Sequence, residues 1–239
     1  MSLKTPLTVG VLGGLGPEAT LEFYAKVVAL TPAGRDQDHL HVIIDSNPGV
    51  PNRNEAVAGT GPSPGPALAA MARRLEGAGA DFLVMACNAA HAFQGDIEAA
   101  ASVPFVSIVE ETVRETLKRL PGVQKVGVLG SSGCLDSRLY QDAFARVGVE
   151  VIVPEGAERE ALMRLLYRIK AGDKGGEVRS AMRALSGSLV FREAEAVVAG
   201  CTEVPLVLFD GDVGVPLVDS SAVLAERTVY YAAHGFSAS

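Results

Sequence analysis

The chain has 239 residues, 48% of them apolar, and carries a formal net charge of −7. That is long enough for one large domain or two small ones, and apolar enough for a packed core rather than a disordered chain. The acidic balance, with a pI of about 5.2, argues against nucleic acid or an anionic membrane as partner, and no apolar run reaches the roughly 18 residues of a membrane span.

The opening Met1-Ser-Leu-Lys-Thr-Pro6 lacks the apolar centre of a signal peptide. Three cysteines cannot all pair within one chain, and their spacing is not that of a zinc site. Free thiols in a reducing, cytoplasmic compartment are the simplest expectation, with no bound metal.

Strand and helix patterns alternate. Residues 8–12 predict a first strand ending in glycines, and residues 17–24 open a helix whose first turn tolerates Pro17. A second strand follows over 41–45, then a helix over 64–77 from the spacing of Leu68, Met71 and Leu75, and strands over 81–86 and 103–108. The theme then restarts, because Lys125-Val-Gly-Val-Leu-Gly130 repeats Thr8-Val-Gly-Val-Leu-Gly13. A helix over 137–147, a strand over 150–153, helices over 159–170 and 177–186 and a strand over 196–199 come next. Val215-Pro-Leu-Val-Asp219 echoes Val103-Pro-Phe-Val-Ser107, and a last helix is predicted over 221–233. The fold class is therefore α/β: two similar Rossmann-like units related by duplication, each a parallel sheet flanked by helices. Ligands of such sheets sit at the carboxyl ends of the strands. The longest loop, residues 46–66, is rich in Pro, Gly and Asn, and long loops in compact domains are often functional.

Each unit presents one cysteine after such a strand: Cys87 in Phe82-Leu-Val-Met-Ala-Cys-Asn-Ala-Ala-His91, and Cys201 in Val197-Val-Ala-Gly-Cys-Thr-Glu203. A single cysteine is usually a small buried hydrophobe; two at equivalent strand ends point to one cleft with an acid/base on each side. A helix starting behind such a thiol would lower its pKa. Cys134, after a different strand, reads as a turn residue. His91, four residues from Cys87, tunes the thiol or is simply a satisfied histidine. Glu203 reads equally as a cap. Asn88 and Thr202 could bind carboxylate oxygens or cap helices. Arg53 in the long loop offers a fork-shaped cation for an anion, and Lys170 ends a helix, where a cation is also favoured by the dipole. Gly14-Leu-Gly-Pro-Glu-Ala19 satisfies a dinucleotide fingerprint with Asp45 as the ribose acid, but Pro17 removes an amide donor and the spacing is long.

At these residues the chain resembles the aspartate/glutamate racemase family, and its aspartate racemase branch in particular. The resemblance rests on Gly13-Gly-Leu-Gly-Pro17, Thr31-Pro-Ala-Gly-Arg-Asp-Gln-Asp38, Asn47-Pro-Gly-Val-Pro51, Cys87-Asn-Ala-Ala-His91, Lys170-Ala-Gly172 and Gly200-Cys-Thr-Glu203. It implies a racemase that needs no cofactor, an acidic amino acid as substrate, Cys87 and Cys201 as the two bases, a site between two α/β domains and a homodimer. Arg53 and Lys170 match the family's carboxylate-binding cations. Leu15, Asn88, Ala89, Ser131, Ser132 and Thr202 match positions lining the substrate site. The family usually has threonine at Ala89, methionine at Leu15 and threonine at Cys134. Its last helix packs back on the first domain, which groups 1–108 with 215–239 and leaves 109–214 as the second. Rival readings are a glutamate or hydantoin racemase, a dicarboxylate isomerase or decarboxylase, and a non-catalytic binder of acidic amino acids.

Overall fold

A computed structural model describes residues 6–236, so residues 1–5 of the opening stretch lie outside the described residues. Strand β1 (Val9–Gly13) is buried at all five positions, the pattern of a parallel strand covered on both faces. It pairs in parallel with β2 (Val42–Ser46) on one side and β3 (Phe82–Met85) on the other, and β4 (Phe105–Val106) completes the sheet. The second sheet repeats the arrangement with β5 (Lys125–Val128), β6 (Glu150–Ile152), β7 (Ala196–Ala199) and β8 (Leu217–Asp219). The strand orders are β2-β1-β3-β4 and β6-β5-β7-β8. The duplication read from the two Val-Gly-Val segments is thus a duplication of topology.

The glycine in each segment has the same job. A Cβ on Gly10 would lie 2.7 Å from Leu83 Cδ2 and 3.2 Å from Leu75 Cβ, on helix α3 (Gly65–Gly77). A Cβ on Gly127 would lie 2.9 Å from Leu189 Cβ, on α9 (Gly176–Phe191). In both halves a helix rests directly on the strand backbone, which only glycine permits at van der Waals distance.

The other helices are α1 (Pro17–Leu30), α2 (Arg53–Val57), α4 (Gln94–Glu98), α5 (Ile108–Arg119), α6 (Ser132–Asp136), α7 (Leu139–Ala145), α8 (Gly156–Lys170) and α10 (Ser220–His234). Helices α5 and α10, each following the last strand of a sheet, pack against one another, and α10 also covers α1. One apolar core accordingly runs without a break from Val9, Phe82 and Val84 through Val109 and Val113 to Val126, Phe144 and Val198. Two further clusters lie under α3 and under α8 and α9. Among the described residues no helix is long and apolar enough to cross a membrane.

Several boundaries depart from expectation. Of the stretch grouped as 215–239, the strand β8 pairs with β7 in the second sheet, while α10 packs on α1 in the first half. The helix expected over 137–147 is shortened to α7, which starts after Arg138 with its left-handed φ of 53°, and the one-turn α6 before it was not expected. The long loop contains α2, started by Asn52, whose side chain accepts from the Asn54 amide.

Candidate active site

Behind each inner strand the chain makes a tight turn. The Cys87 amide donates to the Met85 carbonyl at 2.9 Å, and the Gly200 amide donates to the Val198 carbonyl at 3.0 Å. A 3-10 segment follows each cysteine, Ala89–Phe93 and Val204–Leu206, rather than the α-helix start whose dipole was expected to acidify the thiols. All three cysteines are free and buried. Cys87 and Cys201 face one cavity of about 360 Å³, its mouth included.

The first half contributes Leu15, Arg53, Cys87, Asn88 and Ala89 to that cavity; the second contributes Ser131, Lys170, Cys201 and Thr202. Ser132 does not line it. Its amide points instead at Met163 Sδ (3.1 Å), and its carbonyl accepts from Arg159 (3.3 Å), because α6 begins there and turns the residue away. Three lining residues were not assigned from the sequence: Asn52, Asn54 and Glu203. The first two flank Arg53 in a turn-rich loop. The sequence signal for Glu203 was only its nearness to Cys201.

Arg53 is the first residue of α2. Its Nη1 donates to the carbonyls of Val50 (3.1 Å) and Pro51 (3.0 Å), and its Nη2 to that of Leu15 (2.9 Å). Three of the five guanidinium N–H groups therefore fasten the loop, leaving two without a partner among the described residues. Helix α2 is in turn held to the second half, where the Gly133 amide donates to Asn54 Oδ1 at 2.8 Å.

On the opposite wall, the Glu203 carboxylate lies between Cys201 and Lys170. Cys201 Sγ donates to Glu203 Oε2 at 2.9 Å, and Glu203 Oε1 accepts from Lys170 Nζ. Burial pushes the Cys201 thiol well above its ordinary range, Glu203 pushes it further, and Lys170 only partly opposes this. Burial alone would depress the Lys170 ammonium, but Glu203 and then Cys201 outweigh it and hold it above its usual value. Cys201 thus rests as a thiol, the opposite of the acidified thiol expected from a helix start.

His91 does not line the cavity. The Ile108 amide donates to its Nε2 at 3.1 Å, so Nδ1 carries the proton and donates to the Cys87 carbonyl at 2.8 Å. Burial lowers its pKa to about 4, keeping the ring neutral. The Asn88 side chain is engaged by Tyr140 and Ser220, so what it offers a substrate is its second Nδ2 hydrogen and its place on the wall. Cys134 is fully buried, its thiol raised by burial. The dinucleotide reading loses its acid, because Asp45 is paired with Arg74 at 2.6 Å. The glycine turn is closed on itself, with the Gly14 amide donating to Thr20 Oγ1 (2.9 Å).

The family model described as Asp/Glu/Hydantoin racemase matches residues 12–228. A broad-specificity amino-acid racemase of Bacillus subtilis (strain 168) is 31% identical over 226 residues, 92% of this chain and 96% of that protein. The aspartate racemase of Picrophilus torridus superposes with a TM-score of 0.81 at 25% identity, covering 95% of this chain and 94% of the other. An aspartate racemase homologue from Pyrococcus horikoshii OT3 gives 0.76 at 29% identity, covering 95% and 99%. The chain belongs to the Asp/Glu/Hydantoin racemase family.

Proposed function

We propose that this protein is a cofactor-independent amino-acid racemase that uses Cys87 and Cys201 as its two bases, with aspartate as the first substrate to test. The observation that carries this reading is the pair of buried cysteines, at equivalent strand ends of two repeats, lining one small cavity with Arg53 and Lys170. A carboxylate of the substrate takes the spare N–H groups of Arg53. One cysteine, as thiolate, removes the α-proton; the other, as thiol, returns a proton to the opposite face. Burial and then Glu203 keep Cys201 a thiol, which makes Cys201 the proton donor in the direction where Cys87 is the base. The α-proton is very weakly acidic, so the carbanionic intermediate needs preorganised donors; Arg53, the turn amides and the Ser131 hydroxyl supply them at the cavity wall.

A second reading, a wider substrate range, is favoured by one observation. Lys170 is already neutralised by Glu203, so the site holds less free positive charge than a pocket built only for dicarboxylates. The B. subtilis relative, itself of broad specificity, agrees with it.

The test is α-proton exchange in D₂O, followed by NMR, on L-aspartate, L-glutamate and a set of neutral and basic amino acids with no cofactor added. Exchange with growth of the D-enantiomer of aspartate is expected. Exchange on neutral or basic amino acids as well as on aspartate would favour the second reading. Binding without exchange on any of them would overturn both and leave a binder.

A further inference from the structure

A run of hydrogen bonds joins the two cysteine turns below the floor of the cavity. Tyr140, on α7, donates its hydroxyl to Asn88 Oδ1 at 2.6 Å. Asn88 Nδ2 donates to Ser220 Oγ at 3.1 Å. Ser220 Oγ donates to the Ala199 carbonyl at 2.7 Å. Asn88 directly follows Cys87, and Ala199 stands two residues before Cys201. Tyr140, Ser220 and Ala199 are wholly buried, and Asn88 is 2% exposed.

The direction of the run is fixed by chemistry. A carbonyl can only accept, so Ser220 must donate to Ala199. Ser220 therefore accepts from the Asn88 amide nitrogen, which orients the amide and leaves Oδ1 to accept from Tyr140. Burial raises the Tyr140 phenol above its ordinary value, so it remains a donor. Breaking any link strands a buried polar group.

A steric tie adds to the polar one. Tyr140 lies under Gly200, the residue before Cys201; a Cβ there would sit 3.1 Å from Tyr140 Cε2 and 3.4 Å from Cδ2. One side chain therefore grips the residue after the first cysteine with its hydroxyl and bounds the residue before the second with its ring. The two cysteine-bearing strands lie in different sheets, so their spacing is left to contacts at the seam such as these.

We infer that Tyr140 and Ser220 are positioning residues that act through Asn88 and Ala199 to hold the two cysteine turns at one separation across the cavity. The catalytic consequence rests on the racemase reading; the coupling itself rests on geometry alone. A two-base reaction needs both sulfurs aligned on one α-carbon, and a misplacement of about 1 Å can lower the rate about 10²-fold.

The test is a double-mutant cycle with Tyr140→Phe, Ser220→Ala and the two combined. Neither residue lines the cavity, and Tyr140→Phe keeps the ring against Gly200. Each single variant is expected to lower kcat roughly tenfold or more with KM unchanged. The double variant is expected to lose no more than the worse single one, because both bonds act on the one Asn88 amide and either loss frees it. Independent losses that multiply to about a hundredfold, or an unchanged kcat with only a lower Tm, would overturn the inference.

Alkylation of the cysteines by iodoacetamide, located by mass spectrometry, reads the coupling without any activity, with buried Cys134 as the control for folding. Tyr140→Phe breaks its bond at Asn88, beside Cys87, and is expected to change the rate at Cys201, the far turn. Ser220→Ala breaks a bond at each turn and is expected to change the rate at both cysteines. If Tyr140→Phe does not fold, the response of both cysteines to Ser220→Ala decides alone. Changes confined to one turn, or none, overturn the coupling. Far-turn changes in a protein whose wild type exchanges no α-proton would sink the racemase reading and leave the coupling standing.

Discussion

Gly133→Ala tests how Arg53 is held. A methyl at Gly133 would lie 2.9 Å from Asn54 Oδ1, 3.2 Å from the Arg53 carbonyl oxygen and 3.3 Å from Asn54 Cα. The first contact is closer than carbon and oxygen tolerate, and the others involve backbone, so α2 must move away by a few tenths of an ångström. Two effects oppose one another in stability: overpacking costs about 1–3 kcal/mol, while alanine in place of glycine within the helical turn of α6 returns up to about 1 kcal/mol. Tm should therefore fall only slightly. The displacement is felt at Arg53, whose spare N–H groups leave their places on the cavity wall. We expect KM to rise about tenfold, equivalent to about 1.4 kcal/mol, with kcat nearly unchanged, the pattern of lost uniform binding. Asn54→Ala removes the acceptor without the push and strands the Gly133 amide, at about 1–3 kcal/mol, so it should raise KM in the same way. Steady-state racemisation of both variants is the assay. An unchanged KM in both would refute the docking role, and a collapsed kcat at constant KM would place this turn in the chemistry instead.

Cys87→Ser and Cys201→Ser should each lower racemisation by about 10²–10⁴-fold; full activity in either would remove the two-base scheme. In the direction where Cys201 must serve as base, the rate should rise toward alkaline pH, since burial and Glu203 hold that thiol above its ordinary range. Glu203→Gln leaves Lys170 unopposed, so the pH profile of Cys201 alkylation should move to lower pH; no movement, or movement upward, would contradict the assigned cause. His91 has a folded pKa of about 4 against 6.5 when unperturbed, so the unfolded chain takes up its proton first. Its contribution is full above pH 6.5 and is lost as pH falls toward 4, an effect of roughly 3 kcal/mol. Urea midpoints at pH 7 and pH 4.5 should therefore converge in His91→Gln relative to wild type, and an equal difference in both would show the histidine to be uninvolved.

The parts of this molecule that were legible in the sequence are those set by local pattern. The two Val-Gly-Val segments announced the repeat because a helix must touch the strand at Gly10 and at Gly127. The apolar runs before Cys87 and Cys201 placed both thiols at strand ends. What was not legible depends on partners far away in the chain. The partners of Asn88 left no trace in the sequence, because nothing local shows that Tyr140 and Ser220, 52 and 132 residues away, take its Oδ1 and one Nδ2 hydrogen. Cys201 read as an acidified thiol, but the carboxylate beside it and its burial decide otherwise. The one-turn α6, which turns Ser132 away from the cavity, was not legible because so short a helix leaves almost no periodic signal. That β8 joins the second sheet while α10 packs on α1 follows from strand pairing and long-range packing, which hydropathy does not encode.

The packing of α10 on α1 also shapes how the protein is made. The first-half residues Phe23 and Val27, on α1, share their apolar core with Val223 and Leu224, on α10, nearly two hundred residues downstream. During synthesis the early strands can pair, but one side of α1 stays uncovered until almost the whole chain has left the ribosome. The two halves, though similar in plan, are then expected to gain stability together in a late, long-range step rather than one after the other. A nascent chain cut short before α10 would hold an assembled first sheet with an open apolar flank, which is the form most exposed to chaperones and to aggregation.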